Sequence, residues 1–307
     1  LTLASQQQYI EHGMNNTSGG IEVARTPERM EEFNRRMTSA KAWGIDSKLL
    51  TPAEIKELVP FINEKILLGG FYTPSVSVVD SLQTGTLMRE SALKAGHLQV
   101  FANTEVLDLE TKNGKISAVV TNKGRIEAEY VVVACGVWSP RIAKMAGANI
   151  PLTPAVHQMA DVGPIDVLQK TNAEVAFPIV RDMDTNMYER QHGTGLEIGS
   201  YAHRAILYDA EEIPSNAEAA LSPTEFPFTP DDFADQDEHA LELMPEIVGD
   251  EGAQEKYAIN GLLSLTPDGM PIRSALRRPS RRAATAATVP SMRAATAMHS
   301  DAVNCNA

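Results

Sequence analysis

Residues 130–147 read YVVVACGVWSPRIAKMAG. The run Val131-Val132-Val133 predicts a strand buried on both faces, because such strands are near-continuous apolar runs. Gly136 supplies a tight turn after it. Ser139-Pro140 then opens a helix, since Pro is tolerated in the first helical turn, where its missing N–H costs nothing. A buried strand ending in small residues lets a ligand come close to the backbone, and the next helix start offers N–H groups to an anion. In doubly wound sheets this layout faces a nucleotide. Cys135, inside the apolar pattern, is expected to be a small buried hydrophobe.

The residues upstream lead into that strand. LQVFANTEVLDLETKNGKISAVVTNKGRIEAEYVVVACG (98–136) alternates apolar and polar positions. Asn113-Gly114 marks one hairpin turn and Lys123-Gly124 a second, so the segment reads as a β-meander feeding Val131–Val133. Short glycine-led strands are expected in GGIEVA (19–24) and GGFYTP (69–74). Residues 155–207 are again strand-rich, with turns at Gly163-Pro164 and Gly193.

Helix starts carry their own signals. Thr26-Pro27-Glu28 and Thr51-Pro52-Ala53-Glu54 place a capping hydroxyl before Pro, and the second is a full capping box. Asp80 with Gln83 opens a helix that ends near Gly96. Thr229-Pro230-Asp231-Asp232 starts an acidic helix toward Leu243, and acids in a first turn suit the helix dipole. Clustered strands between long helices predict a mixed α/β (α+β) protein with mixed sheets in two lobes interleaved along the chain.

Composition narrows the function. The chain has 307 residues, 43% hydrophobic and 22% charged, with net charge −13. That charge argues against nucleic acid or an anionic membrane as partner. No run of 18 apolar residues predicts a membrane span. The opening LTLASQQQYIEHGM resembles no signal peptide. Leu1 stands where an initiator Met would, which predicts a chain beginning inside a longer protein. Cys135 and Cys305 are the two cysteines, a usage that points to a reducing compartment.

From Arg273 the text changes to six Arg, no Lys, ten Ala and one acidic residue. The 27 basic and 40 acidic residues of the chain, less those of this segment, leave residues 1–272 at net −18. The segment 273–307 has no aromatic residue and no sustained periodicity. It reads as a disordered or frame-shifted tail.

The search for chemistry-bearing motifs is mostly negative. There is no G-x-G-x-x-G, no phosphate loop of the G-x-x-x-x-G-K-[ST] type and no nucleophile elbow. Gly193-Thr194-Gly195 with Gly199 has the wrong spacing for phosphate and reads as a hairpin. The seven histidines show no metal-ligand spacing, so no metal site is expected. His157, in PLTPAVHQMA, is either a core histidine or a site residue. Tyr188, in IVRDMDTNMYERQHG, can pack on a flat ring and lend its hydroxyl, or be a half-buried sheet residue. Arg181 is a carboxylate anchor or a surface ion pair.

Read together and in order, several blocks carry a resemblance. They are GGIEVA, LLTPAEIKELVPFI, ILLGGFYTPSVSVVD, VVVACGVWSPRIAKMAGANIPLTPAVHQ, MYERQHGTGLEIGSYAHR and INGLLSLTPDGMPI. Over about residues 5–272 the chain resembles the FAD-dependent oxidoreductases of the D-amino-acid oxidase superfamily. Within it, the likeness is to dimethylglycine oxidase and the dimethylglycine and sarcosine dehydrogenases. The resemblance implies FAD as cofactor and a hydride taken from the N-methyl carbon of dimethylglycine or sarcosine. The electron acceptor would be oxygen or an electron-transfer flavoprotein. It implies His157 and Tyr188 beside flavin and substrate, with Val106, Ala134, Gly136 and Trp138 contributing to the cofactor site.

It also implies an incomplete FAD-binding lobe with a β-meander (mostly 75–150) and a substrate lobe on a mixed or antiparallel sheet (mostly 1–74 with 151–265). The family's opening strand with G-x-G-x-x-G, and its flavin-linked His, are expected to lie before Leu1. A closing segment, and a region where tetrahydrofolate would bind, are expected after TPDGMP. The implied location is cytoplasmic, or the mitochondrial matrix in a eukaryote. The alternatives are an inactive truncated relative, or an oxidase of another amino acid or amine.

Overall fold

The computed structural model describes residues 2–215, 217–219, 222–249, 252–270 and 272. The Arg/Ala segment expected to be a disordered or frame-shifted tail lies outside them. Helix α1 (Thr2–Glu11) precedes β1 (Asn15–Thr17) and β2 (Gly20–Ala24), then α2 (Pro27–Trp43) and β3 (Lys48–Leu50). Next come α3 (Pro52–Leu58), β4 (Gly69–Thr73), β5 (Ser77–Val79) and α4 (Ser81–Lys94). A meander follows: β6 (Val106–Lys112), β7 (Lys115–Thr121) and β8 (Gly124–Glu127). Then α5 (Ser139–Met145), β9 (Thr153–Gly163), α6 (Asp166–Gln169), β10 (Ile179–Asp182), β11 (Met187–His192) and β12 (Gly195–Ser200). The chain closes with β13 (Glu225–Pro227), α7 (Pro230–Leu243), α8 (Pro245–Val248) and β14 (Gln254–Leu265).

A nine-stranded mixed sheet dominates, in the order β13-β14-β9-β12-β11-β10-β2-β4-β3. Only the β10–β2 pair is parallel. The meander is a separate three-stranded sheet, and β1 pairs with β5. This is the mixed α/β architecture expected from the clustering of strands.

Local chemistry explains the helix starts. Thr26 Oγ1 accepts from Arg29 N at the head of α2. Thr51 Oγ1 accepts from Glu54 N while Thr51 N donates to Glu54 at 2.7 Å, closing the capping box of α3. Asp80 caps α4 through Gln83 N at 2.8 Å. Gly44 closes α2 at φ +71°, a left-handed value that suits glycine.

One face of the large sheet is the main core. Ile21, Val23, Val180, Met187, Leu196, Ile198 and Ala160 point into it and meet Ile55, Phe233, Ala240, Leu243 and Ile247 from α3, α7 and α8. Gln158 joins sheet to helix here. Its Nε2 donates to Asn260 Oδ1 at 2.9 Å and to Thr229 Oγ1 at 3.0 Å, at the N-terminus of α7. On the opposite face α2 covers one end only, where Phe33 meets Phe71 at 6.0 Å and Arg36 pairs with Glu22.

The core face also buries acid. Glu189 is 1% exposed, and neither carboxyl oxygen has a hydrogen-bond partner among the described residues. Burial pushes its carboxyl well above the usual range, Asp182 adds to the rise, and Arg25 opposes it. Asp182 itself is held by Arg25 Nε at 2.6 Å. The folded chain therefore keeps a proton on Glu189 that the unfolded chain releases above its ordinary value of 4.5. Stability falls as pH rises from there toward the folded value, by up to about 1.4 kcal/mol per pH unit for one proton. Glu189→Gln removes that fall, so urea unfolding of the variant at pH 5.5 and at pH 8 shows a smaller loss than wild type. An identical loss in both proteins would mean that Glu189 is ionised when folded.

The central stretch departs from expectation. Residues 129–135 form no strand, Val132 is 86% exposed, and Cys135 is an exposed free thiol rather than a buried one. A buried strand needs partners on both edges for its N–H and C=O groups. No described strand lies beside Val131–Val133. The same lobe leaves other apolar groups uncovered: Leu82 of α4 is 83% exposed, and Leu87, Met88, Val100, Phe101 and Tyr130 are exposed too. The meander itself forms as read, but it feeds a coil. The helix after the turn does begin at Ser139, with α5 packed on β6.

Candidate functional site

Strand parity sets the face opposite the main core. In β11 the side chains of Met187, Glu189 and Gln191 are buried, and those of Tyr188, Arg190 and His192 alternate to the other side. The hairpin turn at Gly193 pairs Tyr188 with Gly199 and Arg190 with Glu197. Gly199 pairs onward with Met159, and Glu197 with Asp161. Arg181 of β10 pairs with Tyr188. His157 lies two residues before Met159 on the same face, beside Gly261 of β14. Four strands thus bring Arg181, Tyr188, Arg190, Glu197 and His157 onto one half-buried strip.

The polar atoms join in a line. His157 Nδ1 lies 2.9 Å from the Ser200 carbonyl, and Nε2 lies 3.2 Å from Tyr188 Oη. Tyr188 Oη donates to Glu197 Oε1 at 3.0 Å, and Glu197 is ion-paired to Arg190. Tyr201 stacks on the His157 ring at 4.3 Å, with 18° between planes. Burial pushes the Tyr188 phenol well above its usual range, with Glu197 and Tyr201 adding to the rise and Arg190 opposing it. Burial likewise raises Tyr201, against the pull of Arg181. Both phenols therefore stay protonated at neutral pH.

Glycine makes the arrangement fit. A Cβ on Gly199 would fall inside the Tyr188 ring. The tyrosine can lie across its cross-strand neighbour and reach Glu197 only because that neighbour has no side chain.

Chemically, the strip offers stacked aromatic rings, a hydroxyl between an imidazole and a carboxylate, and two guanidinium groups. It suits a small ligand with both a charged and an apolar part. Among the described residues, no group of three or more His, Cys, Asp or Glu side chains is arranged to hold a metal ion. None of the described helices is long and apolar enough to cross a membrane.

Of the residues singled out from sequence, His157 and Tyr188 are brought together, with Arg181 beside Tyr188. Trp138 does not join the strip. It packs on Val137, Val156, Ile213 and Leu262, and Val156 precedes His157 with the opposite parity. Gly136 lies next to Ser264 near the end of β14. Ala134 is exposed in the coil, and Val106 lies in the meander sheet. Reading the sequence missed Tyr201, Glu197, Arg190 and Gly199. The signal that finds them is counting outward from the Gly193 turn, since every second residue on both strands faces the same way.

Comparison with known proteins places the chain in a family. Residues 4–291 match the family model for DAO, FAD dependent oxidoreductase. The mitochondrial sarcosine dehydrogenase of Mus musculus is 31% identical over 260 residues, which are 83% of this chain and 27% of that protein. The mitochondrial dimethylglycine dehydrogenase of Rattus norvegicus is 27% identical over 255 residues, covering 83% of this chain and 29% of that one. The chain thus spans about a quarter of the length of these curated relatives. Among solved structures, L-proline dehydrogenase from P. horikoshii superposes with a TM-score of 0.73 at 23% identity, covering 89% of this chain and 67% of that one. That likeness concerns the fold. With its family model matched from residue 4 to residue 291, the chain belongs to the FAD dependent oxidoreductases of the DAO superfamily, whose cofactor is FAD.

Proposed function

We propose that the Tyr188–His157 strip receives a small N-methylated amino acid, sarcosine or dimethylglycine, and that the chain is the substrate-side part of an amine oxidoreductase. The observation that carries this is the Tyr188 hydroxyl held between His157 and Glu197 on a strip that also carries stacked rings and two guanidinium groups. The named relatives that act on these amines support the choice of substrate. In this reading residues 75–150 belong mostly to the FAD-binding lobe, and residues 1–74 with 151–265 mostly to the substrate lobe.

The residues present fit a flavin on one side. Trp138 Nε1 is a buried donor without an acceptor among the described residues. Next to it Gly136 takes φ +51°, where an added Cβ would meet Ser264 Oγ at an ordinary 3.9 Å. A ring system rich in carbonyl and nitrogen acceptors matches a spare donor beside an open backbone turn. Ala134, Gly136 and Trp138 would line it, and Val106 would meet the adenine side. No G-x-G-x-x-G occurs among the 307 residues to hold the pyrophosphate.

When bound, FAD would supply the acceptor for a hydride from the carbon attached to the amine nitrogen. The chain's own residues orient that carbon. Arg181 and Arg190 attract the carboxylate, whose geometry matches a guanidinium fork. Tyr188 and Tyr201 present flat apolar surface to the methyl group. Tyr188 Oη accepts from the ammonium N–H of the incoming amine. Positioning of this kind supplies much of the rate in a hydride transfer.

Product analysis tests the reaction. Sarcosine oxidised at its methyl carbon yields formaldehyde and glycine. Oxidation at the α-carbon yields glyoxylate and methylamine. The expected products of the FAD-supplied chain are formaldehyde and glycine. Glyoxylate instead would reassign the chain to oxidation of another kind of amine bond.

A further inference from the structure

The line Ser200–His157–Tyr188–Glu197 contains a conflict that protonation must resolve. The Ser200 carbonyl only accepts, so His157 Nδ1 carries a hydrogen toward it, at 2.9 Å. In a neutral imidazole Nε2 would then be an acceptor. It faces Tyr188 Oη at 3.2 Å, while the same oxygen lies 3.0 Å from Glu197 Oε1. One phenolic proton cannot serve two acceptors.

We propose that Glu197 is a positioning residue that accepts the Tyr188 hydroxyl hydrogen bond and thereby holds His157 in its doubly protonated, cationic form, with Nε2–H donating to Tyr188 Oη. Three observations support this choice over a protonated Glu197. Arg190 is the cross-strand partner of Glu197 and is ion-paired to it, a geometry that favours the carboxylate as acceptor. Tyr188 is held as a phenol by burial, so it acts as a neutral link. Two other acids described on this sheet face are each engaged, Asp161 by His192 at 2.6 Å and Glu22 by Arg36. The remaining charged groups on the face, Arg181 of β10 and Arg190 of β11, oppose a cation on His157. Tyr201 stacks on the ring, and Tyr257 of β14 is bonded to Glu225. Among the described residues, Glu197 is the acid linked to the imidazole through Tyr188.

The consequence rests on the amine-site reading, although the protonation itself does not. A cationic His157 cannot take the ammonium proton of an incoming amine. In the FAD-supplied chain kcat/KM should therefore rise as His157 loses its proton, and that rise should move to lower pH when Glu197 is neutralised.

The direct test needs neither flavin nor amine. Nitrogen-15 NMR of the histidine side chains in the full chain, with His157 assigned through His157→Gln, reports both ring nitrogens. The expected result is two protonated nitrogens at pH 7 in wild type. In Glu197→Gln, Nε2 loses its proton and the titration midpoint falls by about one pH unit, a tenfold loss of proton affinity. Tyr188→Phe keeps the Glu197–Arg190 pair but cuts the link, and it should lower the midpoint as well. The amide spectrum of each variant reports its folding, so either variant alone suffices. A wild-type His157 protonated only on Nδ1 at pH 7, or a midpoint unmoved in the variants, overturns the proposal. If the midpoint moves but amines never reduce bound flavin, the amine-site reading fails and the protonation assignment stands.

Discussion

Tyr188→Phe should slow the bleaching of bound FAD by sarcosine or dimethylglycine by about a hundredfold, while leaving FAD content per chain near the wild-type value. A positioned hydroxyl of this type contributes on the order of 10²–10⁴ in rate. The phenylalanine ring fills the same space over Gly199 and keeps the stack with His157 and the tilted contact with Tyr201. What it loses is one oxygen, and with it the link from His157 to Glu197. Nothing in that change touches the turn at 134–138, so cofactor retention should persist. His157→Ala should behave the same way, with a larger fall because the ring stacked on Tyr201 at 4.3 Å goes as well. Parallel loss of flavin and of turnover in both variants would show that these side chains support the fold or the cofactor rather than the reaction.

Gly199→Ala should be the most damaging single-methyl change on the strip. Its Cβ would overlap the Tyr188 ring. Forcing a methyl into a packed site costs about 1–3 kcal/mol, relieved only if a neighbour moves. Tyr188 can move only by giving up its bond to Glu197. The variant should therefore lose stability in urea and lose amine-driven bleaching together. Adding Tyr188→Ala should restore most of the stability but none of the activity, because the clash partner is gone. Additive losses in the double variant would mean that Gly199 is needed for its backbone and not for the tyrosine.

The helices were legible because their starts are written locally. A threonine before Pro, with Glu three residues after it in the case of Thr51, names a cap without any tertiary information. The meander was legible for the same reason, through Asn113-Gly114 and Lys123-Gly124. The run Val131–Val133 misled because its apolar pattern specifies a strand, whereas forming one requires neighbours, and none is supplied by the described residues. Cys135 followed it into solvent. His157 and Tyr188 were legible only through family likeness, since a lone His or Tyr in a strand carries no local signature. Glu197 and Arg190 went unnoticed as ordinary charges, yet they fall out of hairpin arithmetic once the turn is fixed at Gly193. Glu189 was hidden because two residues of the same parity, Glu189 and Gln191, interrupt the apolar alternation of β11 and make the strand read as exposed. Gln191 is satisfied by Thr171, Ala173, Ala176 and Gly193, so its burial is chemically ordinary.

The visible absorption spectrum of the full chain tests the central claim most directly. It would be recorded after FAD is added and the excess removed, and again after anaerobic addition of sarcosine or dimethylglycine. The account predicts a retained flavin spectrum that bleaches with either amine. A folded chain that retains no flavin, or whose flavin stays oxidised with both, would contradict it.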